Sequence, residues 1–237
     1  MNKTANREEI RKTPAVSIRH FPYDFIKWTA VPAAWLMVRP KRIYESKEAK
    51  KRIRGGALLI SNHVGFMDPV YLMTAILYRR HHYVCIKDFF ERKVVGFFFR
   101  IFQCIPIDRE HFSTESFRTV VNRLRAGELV VMFPEGRINF ETDSTESFKS
   151  GMILMAVRAG VPIVPVYTEK REHWYNRVRV AVGEPVDIKA LYAERPTFSR
   201  IEELASLLHQ KEDALCRICQ NQNKEKSDDS NGGDTTS

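Results

Sequence analysis

Apolar residues along this chain fall into two kinds of run. Residues 57–60, 83–86, 104–107, 129–133, 162–167 and 178–182 are short and dense in apolar side chains, as strands buried on both faces of a parallel sheet are. Between them, over residues 70–78, 89–102, 117–124, 149–159 and 201–219, apolar residues return every three or four positions, the spacing of a helix face. Gly127 and Gly160 stand where two of these helices should close. Strands and helices taken in turn predict crossover connections and a single α/β domain, a largely parallel, mixed central sheet flanked by helices. The 89–102 helix is apolar nearly all round, so Phe97, Phe98 and Phe99 suit a buried core, a membrane contact or the wall of an apolar cavity.

The N-terminal part reads differently. Residues 1–19 are polar and basic, without the apolar stretch and small-residue site of a secretory signal. Then Phe21, Phe25, Trp28, Pro32 and Trp35 recur on one helical face. Asp24, Lys27 and two prolines interrupt the stretch, so it suits one helix, or two broken near Pro32, lying in a membrane interface rather than crossing it. A helix packed on the domain with a solvated basic face is the other reading. The division that follows is a basic N-terminus at 1–19, an interfacial helix and basic linker at 20–54, a domain at 55–220, and a tail at 221–237 too polar to order itself.

Charge sharpens this division. The net charge is +9; residues 1–54 hold 14 Lys and Arg against 5 Asp and Glu, while residues 55–237 hold 24 of each. All the excess therefore lies in the N-terminal segment, where it suits an anionic membrane surface or a nucleic acid. The apolar face beside it favours the membrane, on a cytoplasmic face where the association is peripheral or monotopic. Four cysteines without dense spacing suit a reducing compartment. Cys216-x-x-Cys219 has no second ligand pair and lies at the end of a helical pattern, so no metal is expected.

Candidate chemistry gathers after the strands. In residues 61–69, His63 precedes Asp68 by five positions, and Asp68-Pro69 reads as a helix start with Asp68 as N-cap. A carboxylate that accepts the Nδ1–H of an imidazole fixes its tautomer and leaves Nε2 free to take a proton. Arg109 follows the run at 104–107, and Glu135-Gly136-Arg137 follows the run at 129–133. Ligands of parallel sheets gather beyond the carboxyl ends of the strands, and guanidinium groups there suit an anionic substrate.

In order along the chain stand Asn62-His63-x-x-x-x-Asp68-Pro69, Ile105-Pro106-Ile107-Asp108-Arg109, Phe133-Pro134-Glu135-Gly136-Arg137 and Val161-Pro162-Ile163-Val164-Pro165-Val166, with Phe148-Lys149-x-Gly151 between the last two. This succession resembles the motifs of the glycerolipid acyltransferase family, whose bacterial type is 1-acylglycerol-3-phosphate acyltransferase, over roughly residues 20–190. The resemblance implies a glycerol-3-phosphate acyltransferase-like fold and transfer of a fatty acyl group from a thioester of coenzyme A or acyl carrier protein to a lysophospholipid hydroxyl, with no bound cofactor or metal. It implies that His63 is the base and Asp68 its support. Arg109, Arg137 and Lys149 would hold the acceptor phosphate, Glu135 and Gly136 would shape the acceptor site, and Phe97 to Phe99 would meet the acyl chain or the membrane. Two departures stand out: Gly65 where the family often has Ser, and Arg137-Ile138 where it commonly has Thr-Arg. They leave open an acceptor other than lysophosphatidate, such as another lysophospholipid, glycerol 3-phosphate or a glycolipid. A non-catalytic membrane- or nucleic-acid-binding protein is the reading from another class.

Overall fold

The structure, a computed structural model, describes residues 20–107, 113–134, 146–173, 175–188 and 197–231, and gives no side-chain detail for 146–150 and 222–231. Its centre is β2 (Ala57–Ser61), five residues all buried, as expected for a strand with helices over both faces. It pairs in parallel with β5 (Leu129–Met132) on one side and β6 (Ile163–Thr168) on the other. β3 (His81–Ile86) and β4 (Ile105–Ile107) continue the parallel set beyond β5. On the far side β7 (Arg179–Val182) runs antiparallel to β6, and β1 (Lys41–Tyr44) pairs in parallel with β7. The order is β1-β7-β6-β2-β5-β3-β4, a mixed sheet with a parallel centre. β2 to β6 thus end on one edge, called here the site edge.

Two cores sandwich this sheet. α5 (Thr114–Arg125), α6 (Glu146–Ala159) and α7 (Phe198–Asn231) cover one face with Val120, Leu124, Met152, Ile153, Leu204 and Leu208. α1 (Phe21–Val38) and α2 (Asp68–Ala75) cover the other with Val31, Val38, Tyr71 and Leu72. Ser113 caps α5 by accepting the Ser116 amide at 3.1 Å, and Gly127 follows its end at φ 85°, a left-handed conformation that suits glycine.

Several expected boundaries move. β1 was not expected at all: Lys41-Arg42-Ile43-Tyr44 has one buried residue, Ile43, because the strand lies at the edge of the sheet. The 89–102 helix is two, α3 (Asp88–Glu91) and α4 (Lys93–Ile101), parted at Arg92, which is extended at ψ 125°. Gly96 lies so close to the Phe90 carbonyl that an added Cβ would sit 2.2 Å from its oxygen, so the two helices fold against each other there. The terminal helix runs to Asn231, past the expected boundary at Asn221. Extending a formed helix fixes one residue per new hydrogen bond, so polar residues propagate it without a core of their own. Residues 1–19 and 232–237 lie outside the described residues. Cys216 and Cys219 are free thiols on α7; Cys219 is buried, and its thiol is pushed up to about 12.

α1 is one helix, with Pro32 inside it. Proline leaves the Trp28 carbonyl without an amide donor, and that residue faces outward. The outward face is the expected one, with Phe21, Phe25, Trp28 and Trp35 all exposed. The inward face is held by polar contacts. Tyr23 Oη donates to the His81 carbonyl and accepts the His81 amide at 2.8 Å; Asp24 takes two bonds from Arg80 at 2.8 and 2.6 Å; Lys27 donates to the Arg79 carbonyl at 2.6 Å. Of the residues that interrupt the apolar run, the two charged ones, Asp24 and Lys27, face the protein, while Pro22 and Pro32 are exposed. α1 therefore starts at the edge opposite the site, beside the beginning of β3.

Two buried histidines stand at that opposite edge. His82 is pushed down to about 4 from an ordinary 6.5, chiefly by burial, and burial likewise holds His81 well below its usual range. Neutral His82 fits its neighbours, since Arg123 donates toward Nδ1 at 3.4 Å while Nε2 faces Glu128 at 3.5 Å. Both imidazoles stay neutral when folded and take up a proton on unfolding below about pH 6.5, so the unfolded chain binds more protons and stability falls as pH drops from 6.5 toward 4. Urea unfolding across that window should show up to about 1.4 kcal/mol lost per pH unit for each histidine. His82→Gln should remove one share of the slope; an unchanged slope would contradict this assignment.

Candidate active site

The site begins where β2 runs out. Ser61 is the last residue of the strand, paired with Val166 of β6. Asn62 then continues the pairing with its side chain. Its Nδ2 donates to the Thr168 carbonyl at 2.9 Å, and its Oδ1 accepts the Thr168 amide at 2.7 Å. The amide group copies a strand neighbour, so the chain enters the next residue, His63, from a fixed position at the site edge.

Asp68 fixes the loop from the other end. The helix starts as expected but with different roles: Met67 is the N-cap, Asp68 and Pro69 are the first helical residues, and Asp68 makes no cap bond. Its carboxylate turns back instead. Oδ2 lies 2.8 Å from His63 Nδ1 and accepts the amides of Val64 at 2.7 Å and Gly65 at 2.9 Å. Asp68 is fully buried, and Oδ1 has no hydrogen-bond partner among the described residues. A buried carboxylate is expensive to leave unpaired, and hydrogen bonds to a charged group contribute about 1.5–3 kcal/mol each. Three donors on one oxygen, at the favourable N-terminal end of α2, offset that cost. The Val64 and Gly65 amides are thereby committed to Asp68 and do not face a substrate oxyanion.

The His63 ring lies against Phe133, centroids 4.3 Å apart and planes 21° off parallel, and Tyr83 stacks behind Phe133 at 6.4 Å and 7°. Tyr83 is held in turn by its hydroxyl, which donates to the Pro69 carbonyl at 2.6 Å. With Nδ1 on Asp68 and one ring face on Phe133, the His63 side chain keeps 18% of its surface open. An imidazole held in this way has Nε2 free to take a proton from a group that enters from the site edge. At Gly65 an added Cβ would meet nothing within 4 Å, so no close packing demands glycine there.

The other expected site residues divide. Arg109, Glu135, Gly136 and Arg137 lie outside the described residues. The strands that lead to them, β4 ending at Ile107 and β5 ending at Met132, do end on the His63 edge. Lys149 lies in the first turn of α6, after β5, and nothing is described of its side chain. Phe97 and Phe98 are 56% and 42% exposed on α4, while Phe99 is half-buried against Phe89 and Phe90. They lie on α4, whose following residue, Phe102, packs edge-to-face on Tyr23 of α1. The sequence assigns no role to Asn62, Phe133 or Tyr83; the signals it offers are the place of Asn62 beside His63 and that of Phe133 just before Pro134-Glu135.

Known proteins resemble this chain in sequence and in fold. The chain is 27% identical over 161 residues to the 1-acyl-sn-glycerol-3-phosphate acyltransferase of Bacillus subtilis (strain 168), covering 66% of this chain and 79% of that protein. It is 29% identical over 137 residues to the enzyme of the same name from Streptococcus pneumoniae (strain ATCC BAA-255 / R6), covering 55% of this chain and 50% of that protein. In fold it resembles the crystal structure of the 1-acyl-sn-glycerophosphate (LPA) acyltransferase, PlsC, from Thermotoga maritima. The TM-score is 0.58 at 18% identity, over 83% of this chain and 82% of that one. With residues 41–169, from β1 to the end of β6 and more than half of its length, matching the family, this chain belongs to the acyltransferases.

Proposed function

We propose that this acyltransferase moves a fatty acyl group from a thioester, acyl-CoA or acyl carrier protein, to the sn-2 hydroxyl of 1-acylglycerol 3-phosphate, giving phosphatidate. The observation that carries the reading is the closed contact from His63 Nδ1 to Asp68 Oδ2 on a loop clamped at both ends. His63 Nε2 takes the acceptor hydroxyl proton as its oxygen bonds to the thioester carbonyl carbon. The tetrahedral adduct then collapses, the C–S bond breaks, and the imidazolium returns the proton to the leaving thiolate. Asp68 stabilises the imidazolium in between and is not itself protonated. Arg109, Arg137 and Lys149 are the cations proposed for the acceptor phosphate, with Glu135 and Gly136 shaping the site around it. Support comes from family membership and from strand ends that lead toward the site edge.

The same reading seats the protein on the cytoplasmic surface of an anionic bilayer. No helix among the described residues is long and apolar enough to cross a membrane. Instead, Phe21, Phe25 and Trp28 of α1 and Val94, Phe97 and Phe98 of α4 are exposed on two helices joined by an edge-to-face contact of Tyr23 with Phe102 at 5.3 Å. Large aromatic side chains beside basic residues suit the depth of lipid headgroups, and both substrates carry acyl chains.

Assay of acyl transfer to lysophosphatidate should show kcat falling about 10²- to 10⁴-fold in His63→Ala and in Asp68→Asn, with little change in the acceptor KM. Activity within a few-fold of wild type in both would remove His63 as the base. Because Gly65 and Arg137-Ile138 depart from the usual pattern, the assay should include glycerol 3-phosphate, other lysophospholipids and a glycolipid. Faster turnover of any of these would replace lysophosphatidate as acceptor. On vesicles, Trp28→Asp should weaken binding about tenfold or more, and unchanged binding would count against α1 as the seat.

A further inference from the structure

Among the described residues, the basic side chains that follow α1 divide between the two edges of the sheet. β1 runs opposite to the central strands, so the linker after it, with exposed Lys47, Lys50 and Arg54, lies at the edge away from His63. Arg39, just before β1, lies at the site edge, where α1 ends. Two arginines distant in sequence join it there, from the segment between β6 and β7. Arg171 Nη2 donates to the Met37 carbonyl at 3.1 Å, and its Nε donates to the carbonyls of His173 and Asn176 at 3.1 and 2.9 Å. Arg177 Nε donates to the Arg39 carbonyl at 3.1 Å, and Arg39 Nη2 donates to the Tyr175 carbonyl at 2.6 Å.

These bonds tie the end of α1 to the β6–β7 segment and leave most of the guanidinium donors unused. Among the described residues, none of the three arginines is paired with a carboxylate. Glu169 nearby is taken by Arg179 at 2.6 Å, and exposed Glu172 is the other acid of the segment, beside exposed Lys170. Around them Trp35 is 42% exposed, Met37 54% and Tyr175 55%, with Tyr175 stacked on His173 at 5.2 Å. Guanidinium forks match phosphate oxygens, and Trp and Tyr beside them suit the polar margin of a bilayer. Thr168, which the Asn62 side chain holds next to His63, leads directly into this segment.

We propose that this corner, Arg39, Arg171 and Arg177 rimmed by Trp35, Met37 and Tyr175, binds the headgroup phosphates of an anionic phospholipid bilayer. The site edge thereby faces the lipid surface, and the linker at the opposite edge does not carry the binding. This rests on the membrane reading above and adds which edge meets the charge. The corner gains its phosphates from lipid in the plane of the membrane, so a lipid-borne acceptor reaches His63 without leaving the surface.

The test is co-sedimentation of the full chain with phosphatidylcholine vesicles and with vesicles containing phosphatidylglycerol, over a range of salt. Arg39→Gln/Arg171→Gln/Arg177→Gln should weaken binding to the anionic vesicles about tenfold or more and flatten its salt dependence, leaving binding to phosphatidylcholine unchanged. Lys47→Gln/Lys50→Gln/Arg54→Gln removes the same charge from the opposite edge and should have a much smaller effect. Equal losses in the two triple variants would make the effect one of net charge and overturn the proposal, as would full anionic binding by the first. Arg177→Glu alone keeps the ties made by Arg39 and Arg171; it should give a several-fold loss, and no loss would count against the corner even if the triple variant fails to fold. A wild-type chain that binds neither vesicle would defeat the membrane reading itself. Loss on Trp28→Asp with none from the corner variants would keep that reading and reject this one.

Discussion

One carboxylate oxygen, Asp68 Oδ2, gathers the imidazole of His63 and the amides of Val64 and Gly65, and the His63 loop depends on it. Asp68 is buried, so its charge has to be met by these donors; it sits at the start of a helix, so its backbone cannot drift. The same oxygen closes the turn and orients the imidazole. That economy has a chemical consequence, because two amides beside the imidazole are used up in building the loop. In the proposed reaction, groups elsewhere would have to face the charge that develops on the thioester oxygen.

Everything else in the domain holds the loop at one end of a rigid frame. β2 is buried on every residue and flanked by parallel strands, and Asn62 extends that pairing one step past Ser61 through its side chain. Phe133 comes from the neighbouring strand to cover one face of the imidazole, with Tyr83 behind it. α1 is fastened by Tyr23, Asp24 and Lys27 to the opposite edge and by Arg171 and Arg177 to the site edge, so it spans the face as a strut. Its outward aromatic side chains therefore have a fixed relation to His63, which a helix on a loose tether would lack.

Much of this frame was legible in the sequence, for identifiable reasons. Dense apolar runs such as 129–133 report strands buried on both faces, and their order with the helical spacings is enough for a largely parallel sheet. The His63-Asp68 spacing shows the pair because both partners are local. β1 escaped notice because an edge strand buries one side chain in four, and Lys41-Arg42 looks like linker. An Asp-Pro helix start suggests Asp68 as a cap; only the fold shows the carboxylate turned back to the loop. Asn62 with Thr168, and Phe133 with His63, join residues from separate strands, which no local pattern reports. Arg171 and Arg177 were hidden by balance: the segment-wide charge beyond residue 54 is neutral, and only the fold brings them to Arg39.

The central claim is that Asp68 holds His63 with its proton on Nδ1 and its Nε2 lone pair free. Nitrogen-15 NMR of the histidine-labelled protein, with His63→Gln to assign the resonance, tests it directly at a pH where the imidazole is neutral. The expected result is the Nδ1–H tautomer for His63 and its loss in Asp68→Asn. A dominant Nε2–H tautomer in the wild-type chain, or a spectrum unaffected by Asp68→Asn, would contradict it.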